Sequence, residues 1–149
     1  MKLNLLFKRK KSMKKILVLL VSIIAIACSN SKPIKLVNNG ESQYTIFTSV
    51  TPSIQEKRAA KLLQKFVEEM SGCKLPIANG LKSDSKGIFI KEVDGLKYDG
   101  YRIKTEKNGS IYIEGSHKGC IYGAITILDK YLGCHLYSPK YKVIPNKKT

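Results

Sequence analysis

The chain has 149 residues, of which 43% are hydrophobic, and a formal net charge of +16. Seven of the 27 basic residues but none of the 11 acidic residues fall within residues 1–28, so the remainder carries 20 basic against 11 acidic residues, a net charge of +9. The lysines of this remainder are scattered singly, without an arginine-rich stripe, which favours a solvated surface over nucleic-acid binding. The part after residue 28 is long enough for one domain with one core and too short for two.

The first 28 residues have the pattern of a bacterial export signal. A basic segment precedes an apolar run over residues 16–27, which is shorter than the roughly 20 residues that a membrane-spanning helix needs. Met13 begins a second, more compact version of this pattern, so the true start stays open between Met1 and Met13.

The end of the apolar run suggests how the protein is anchored. The run closes with Ala25-Ile26-Ala27-Cys28, which resembles the lipobox of bacterial lipoproteins. The resemblance implies cleavage before Cys28, a lipid on its thiol, and a location in the cell envelope, held to a membrane by that lipid. The alternative is an ordinary cleaved signal followed by a chance cysteine.

The chain after the signal begins with strands. Residues 29–42 are predicted to form a polar tether and a first short strand at 34–38, which turns at Asn39-Gly40. Residues 43–48 are rich in β-branched and aromatic side chains and predict a second strand.

The clearest helix follows. Ser53 and Glu56 fit a capping box that opens it, and Gly72 is the predicted stop. Apolar residues between them recur at steps of three and four and predict one buried face: Ala59, Leu62, Leu63, Phe66, Val67 and Met70.

The second half predicts a hairpin and a second helix. Residues 74–86 are interpreted as a loop and 87–91 as a strand. Alternating runs at 101–105 and 110–114 flank Asn108-Gly109 and predict a β-hairpin.

Residues 118–132 have almost no polar face and predict a helix that is buried on most sides, with Gly119 and Gly123 close to the sheet. Closing strands are predicted at 135–137 and 143–145. This order of elements predicts an α+β or mixed α/β fold, with helices packed on a sheet.

The polar residues give no catalytic constellation. Cys73 and Cys134 are candidates for a disulfide or for unpaired thiols, while Cys120 is interpreted as a small core residue. Glu114 and Asp129 are interpreted as solvated or capping residues. A metal site would combine Cys120 and Cys134 with His117 and His135, whose spacing matches no zinc pattern. We therefore expect no catalytic residue, no metal and no cofactor in this chain.

Residues 100–137 carry a recognisable pattern. It includes Gly-Tyr-Arg-Ile-Lys-Thr, Lys-Gly-Cys-Ile-Tyr-Gly-Ala-Ile-Thr-Ile-Leu and Tyr-Leu-Gly-Cys-His-Leu-Tyr-Ser-Pro. This pattern resembles the N-terminal domain of α-glucuronidases and the equivalent non-catalytic domain of β-hexosaminidases. The resemblance implies a domain over residues 43–149, built as a mixed sheet with two main helices on one face. In these families a catalytic (β/α)₈ barrel follows, so we expect the chain to be truncated before that barrel or to stand alone.

The resemblance implies a non-catalytic accessory domain of an envelope-anchored, α-glucuronidase-like glycoside hydrolase that acts in xylan-type polysaccharide breakdown. Gly115, His117, Lys118 and Tyr122 are the candidate contact with the barrel, although Tyr122 is equally interpreted as a core residue. The alternative is a free-standing glycan-binding or structural lipoprotein. Glycan binding would need exposed aromatic side chains, and the eight tyrosines are expected mostly at core positions. The sugar stays open.

Overall fold

A computed structural model describes residues 34–80, 86–138 and 140–146. Cys28, the signal segment and both candidate start residues therefore lie outside the described residues. Within the described ranges, no helix is both long enough and apolar enough to cross a membrane.

A five-stranded mixed sheet forms the centre of the fold. Its strands are β1 (Thr45–Thr48), β2 (Ile77–Asn79), β3 (Gly87–Glu92), β4 (Tyr101–Thr105) and β5 (Ile111–Gly115), in the order β2-β1-β3-β5-β4. Strands β1, β2, β3 and β5 run parallel, and β4 pairs with β5 in the antiparallel sense. The helices are α1 (Ile54–Ser71) and α2 (Gly119–Thr126). This confirms the predicted α+β class with its mixed sheet and two main helices.

Helix α1 begins and ends where the sequence predicts. The Ser53 hydroxyl accepts a hydrogen bond from the Glu56 backbone N–H at 3.2 Å. Gly72 takes a left-handed φ of 76° and donates its N–H to the Glu68 carbonyl at 2.8 Å, which closes the helix in the manner that favours glycine.

One face of the sheet carries the core. Side chains alternate along a strand, so Ile46, Ile88 and Ile113 point toward the helices and are fully buried. Each such side chain contributes roughly 1.5–3 kcal/mol to folding. The rings of Phe47, Phe89 and Tyr112 point to the other face, where they stack across three strands with centroids 5.0 and 4.7 Å apart.

Helix α2 differs in part from its prediction. The predicted stretch of residues 118–132 is helical, but its second half is a π-helical turn at Ile127–Tyr131. The expectation of burial on most sides is wrong, because Tyr122 and Tyr131 lie on the surface. Small residues form the buried stripe instead, so the helix lies close to the sheet and its large aromatic rings point outward. The stripe consists of Gly119, Cys120, Gly123 and Ala124.

Several short segments also differ from their predictions. The strand predicted at 34–38 is an isolated bridge from Asn38 to Glu41, because the turn at Asn39-Gly40 reverses the chain at once. Residues 77–79, predicted as loop, form β2 on the open edge of β1. The closing strands are β6 (His135–Leu136) and β7 (Lys142–Val143), which form a separate two-stranded hairpin.

The close approach of α2 gives a first testable prediction. A Cβ atom at Gly119 would overlap with the backbone carbonyl of Gly100, which cannot move aside as a flexible side chain would. We expect Gly119→Ala to lower the free energy of unfolding by about 3 kcal/mol, at the upper end for overpacking. Urea denaturation followed by circular dichroism measures this change.

Gly72→Ala is the matched control. Its Cβ would meet nothing within 4 Å, so only the left-handed φ opposes the substitution, at a cost of about 1 kcal/mol. Equal losses in the two variants would contradict the close contact at Gly119.

Candidate functional site

A buried carboxylate lies where two parallel strands end. Glu56, in the first turn of α1, is only 2% exposed. Its Oε1 accepts hydrogen bonds from the Ser49 hydroxyl at 2.8 Å and the Glu92 N–H at 2.7 Å, and its Oε2 accepts one from the Ser49 N–H at 3.2 Å. Ser49 follows β1 and Glu92 ends β3, so this carboxylate joins both strand ends to the helix.

Sequence reasoning assigned Glu56 to the capping box and missed its burial. A signal was present, because Glu56 is three, four and seven residues before Ala59, Ala60 and Leu63 and shares their buried stripe. An acidic residue in line with such a stripe indicates a carboxylate with internal partners.

The Cys120 thiol beside this cluster is inert. It donates weak hydrogen bonds to the carbonyls of Lys91 at 3.4 Å and Gly115 at 3.6 Å. Burial, followed by the negative charges of Glu56 and Glu92, raises its pKa to about 11. A thiol that stays protonated at neutral pH is a poor nucleophile, so this group of residues serves packing.

The described residues show neither the candidate disulfide nor a candidate metal site. The structure shows no disulfide between Cys73 and Cys134. Nowhere in the described ranges do three or more His, Cys, Asp or Glu side chains gather as a metal ion would require.

The two acids that the sequence singles out are hydrogen-bonded to side chains at the surface. Glu114 on β5 accepts a hydrogen bond from Arg102 and lies 3.4 Å from the Lys104 ammonium. The hydrogen bond from Arg102 is the main cause that lowers the pKa of Glu114, so it is ionised at neutral pH and unsuited to donate a proton. Asp129 pairs with His135 at 2.7 Å.

The candidate contact residues surround the start of α2. His117, Lys118 and Tyr122 are exposed, and Tyr122 is 42% exposed, so it is not a core residue. Gly115 is buried beneath the first turn of α2, where a Cβ would overlap with the Cys120 backbone. Its backbone is therefore covered by the helix, unlike the other three candidate contact residues.

The loop before β4 lies against the same turn and adds a residue that the sequence did not indicate. The Ser116 hydroxyl donates to the Tyr98 carbonyl, and the Lys118 N–H donates to the Asp99 carboxylate at 3.2 Å. These bonds hold the loop beside α2, where the Tyr98 side chain is 91% exposed. We call Tyr98, His117, Lys118 and Tyr122 the α2 surface.

The backbone of the α2 surface is strained. Tyr98 and His117 have φ values of 54° and 45°, in the left-handed region that non-glycine residues rarely adopt. Such a conformation costs roughly 1–3 kcal/mol and is found most often at functional positions. Two strained residues in one patch mark it as a candidate contact site.

The tyrosines contradict their predicted burial. Six of the eight are exposed, while Tyr44 is buried and Tyr112 is half-buried. The periodicity of a strand or helix assigns an apolar ring to the core, but an amphipathic tyrosine also suits a surface. The exposed ones are Tyr98, Tyr101, Tyr122, Tyr131, Tyr137 and Tyr141.

Comparisons with known proteins do not assign this chain to a family. No family model and no curated protein matches the sequence. A solved structure of a GH138 enzyme targeting pectin rhamnogalacturonan II is similar over 67% of this chain, with a TM-score of 0.48 and 14% sequence identity. The chain covers 11% of that enzyme's length.

The buried thiol yields a testable prediction. Because the pKa of Cys120 is raised from 9.0 to about 11, we expect about a hundredfold less thiolate at neutral pH than for an ordinary cysteine. Burial hinders the reagent further. Labelling of the native chain with iodoacetamide, followed by peptide mass spectrometry, should modify half-buried Cys73 and leave Cys120 unmodified until the pH approaches 11 or the chain unfolds. Equal labelling of the two thiols at neutral pH would contradict this.

The Glu56 carboxylate yields another. Glu56→Ala leaves the N–H groups of Ser49 and Glu92 without their partner, and we expect it to lower the free energy of unfolding by about 2–3 kcal/mol. Urea denaturation measures the change. Glu68→Ala removes an exposed acid of the same helix and should change stability by about 0.5 kcal/mol or less. If Glu56→Ala lowers the free energy of unfolding no more than Glu68→Ala does, the buried network contributes little to stability.

Proposed function

We propose that the chain is a non-catalytic accessory domain of an envelope-anchored glycoside hydrolase, related to the α-glucuronidases, that acts on xylan-type polysaccharides. In this proposal the domain packs on a catalytic (β/α)₈ barrel that follows it in the same chain, and a lipid on Cys28 holds both at a membrane. The sequence resemblance over residues 100–137 supports the family, and the α2 surface is the observation that carries the contact.

The α2 surface has the chemistry of a protein contact. Tyrosine is enriched at the centre of interfaces, where its ring buries a large area at a small loss of side-chain entropy. Tyr98 and Tyr122 lie on segments that are hydrogen-bonded to each other through Ser116 and Lys118. Their positions are therefore set before a partner binds, which lowers the entropic cost of association.

The surroundings of two described carboxylates fit an accessory role. The buried carboxylate of Glu56 has three hydrogen-bond donors, and Glu114 is neutralised by two basic side chains. Glycoside hydrolysis normally needs two carboxylates that flank a sugar. Such a pair would belong to the barrel in this proposal.

A free-standing glycan-binding protein is the second candidate. The exposure of six tyrosines favours it, because exposed aromatic rings are what such a protein needs.

The contact can be tested with the barrel that this proposal expects downstream of codon 149. We expect that barrel to bind the purified chain, and Tyr98→Ala with Tyr122→Ala to weaken the complex by about 30-fold or more, since each removes an interface tyrosine. Surface plasmon resonance measures the affinity. Lys57→Ala, an exposed change on α1, serves as the control and should bind like the parent. A reading frame without a barrel, or a double variant with unchanged affinity, would refute the proposal.

A further inference from the structure

A second aromatic patch lies on the hairpin formed by β6 and β7. The rings of His135, Tyr137 and Tyr141 follow one another with centroids 6.1 and 5.8 Å apart. Tyr137 and Tyr141 are 67% and 64% exposed. We call these three residues the hairpin row. Tyr131, on the π-helical turn before β6, is a further exposed ring at 70%.

The hairpin row is held in place from both sides. The His135 ring bonds to the Asp129 carboxylate at 2.7 Å. On β7, the Lys142 ammonium bonds to Glu69 of α1 at 2.6 Å and lies 5.2 Å from the centre of the Phe66 ring. Exposed rings on a hairpin fixed at both strands need little reordering to bind a ligand.

The backbone of the turn adds to this rigidity. The Tyr137 N–H donates to the Tyr141 carbonyl at 3.1 Å, and the Tyr141 N–H donates to the Ser138 carbonyl at 3.2 Å. These bonds join the backbone of Tyr137 to that of Tyr141, whose ring centroids lie 5.8 Å apart.

The surroundings of the hairpin row are basic. Lys130 precedes Tyr131, and Lys140 precedes Tyr141; both side chains are exposed. The nearby acids have partners, because Asp129 is hydrogen-bonded to the His135 ring and Glu69 is paired with the Lys142 ammonium. A ligand with negative charges would be attracted to these exposed lysines.

The exposed rings and the exposed lysines together indicate the chemical class of the ligand. The face of an aromatic ring carries negative charge and attracts the polarised C–H bonds on the face of a pyranose, as it attracts a cation, while tyrosine hydroxyls bond to sugar hydroxyls. The row is narrow, with ring centroids 6.1 and 5.8 Å apart, which suits an extended ligand better than the broad face of a protein partner. We propose that the hairpin row binds an oligosaccharide that carries uronate carboxylates, with the rings against the sugar faces and Lys130 and Lys140 near the carboxylates. This binding deepens the glycan-binding candidate and does not depend on the barrel contact.

The test is a titration of the full chain with hexagalacturonate, followed by calorimetry and by tyrosine and histidine ring signals in NMR spectra. We expect saturable binding that shifts the signals of the hairpin row and weakens with added salt. Tyr137→Ala should weaken binding about tenfold, which corresponds to about 1.4 kcal/mol. Tyr137→Phe keeps the ring and should retain most of the affinity. Lys130→Gln with Lys140→Gln should reduce both the affinity and its dependence on salt.

Controls separate this proposal from its alternatives. Cellohexaose, a neutral sugar of equal length, should bind at least tenfold more weakly, and Lys57→Ala, an exposed change on α1, should bind hexagalacturonate like the parent. Unchanged affinity in Tyr137→Ala, with its fold intact by circular dichroism, would overturn the proposal. Equal binding of the neutral hexamer, or of inorganic polyphosphate without dependence on Tyr137, would do the same. Because the barrel contact is tested with Tyr98 and Tyr122, the failure of one proposal is distinguishable from that of the other.

Discussion

The buried carboxylate of Glu56 holds the centre of the fold together. A carboxylate removed from water is strongly destabilising unless donors surround it. Here the donors come from Ser49 and Glu92, at the ends of β1 and β3. The charge is satisfied only when both strands and the first turn of α1 are in place. The two central parallel strands, whose pairing is non-local in sequence, are thereby fixed at the same edge.

The same edge determines what lies on the surface. Helix α2 starts directly after β5 and approaches so closely that neither Gly115 nor Gly119 has room for a side chain. The loop before β4 is held in this corner by Ser116 and Lys118. Tyr98 is consequently presented to solvent in a left-handed conformation that an unrestrained loop would avoid. The packing of small residues in the core thus produces the aromatic α2 surface.

Short sequence signals predicted α1 and the hairpin of β4 and β5, whose stabilising contacts lie within a few residues along the chain. The capping Ser53, the helical spacing of apolar residues and Gly72 defined α1 because each acts within a few residues along the chain. The Asn108-Gly109 turn defined the hairpin of β4 and β5 for the same reason. By contrast, β2 has three residues and pairs with a strand about thirty residues earlier, so no pattern within it distinguishes it from a loop.

Exposure was the property that sequence periodicity predicted least well. Tyr122 and Tyr131 fit an apolar helix face, but the small residues of the stripe leave no room beneath them for large rings. Glu56 shows the converse error, since its charge suggested the surface while its position in the stripe required burial. In both helices, burial depended on whether a residue lies in the buried stripe of its own helix, and not on hydrophobicity alone.

The two aromatic surfaces differ in a way that bears on function. On the α2 surface the backbone is strained and the aromatic rings stand on different segments, which suits a broad contact with a protein. On the hairpin row the rings follow one another, and the contacts of His135 with Asp129 and of Lys142 with Glu69 hold the two strands, which suits a narrow, extended ligand. If both proposals hold, the domain would use the α2 surface to dock on the barrel and the hairpin row to hold a polysaccharide beside it. The affinity of the whole enzyme for a long chain would then exceed that of the barrel, since a second attached site raises the effective concentration of the substrate.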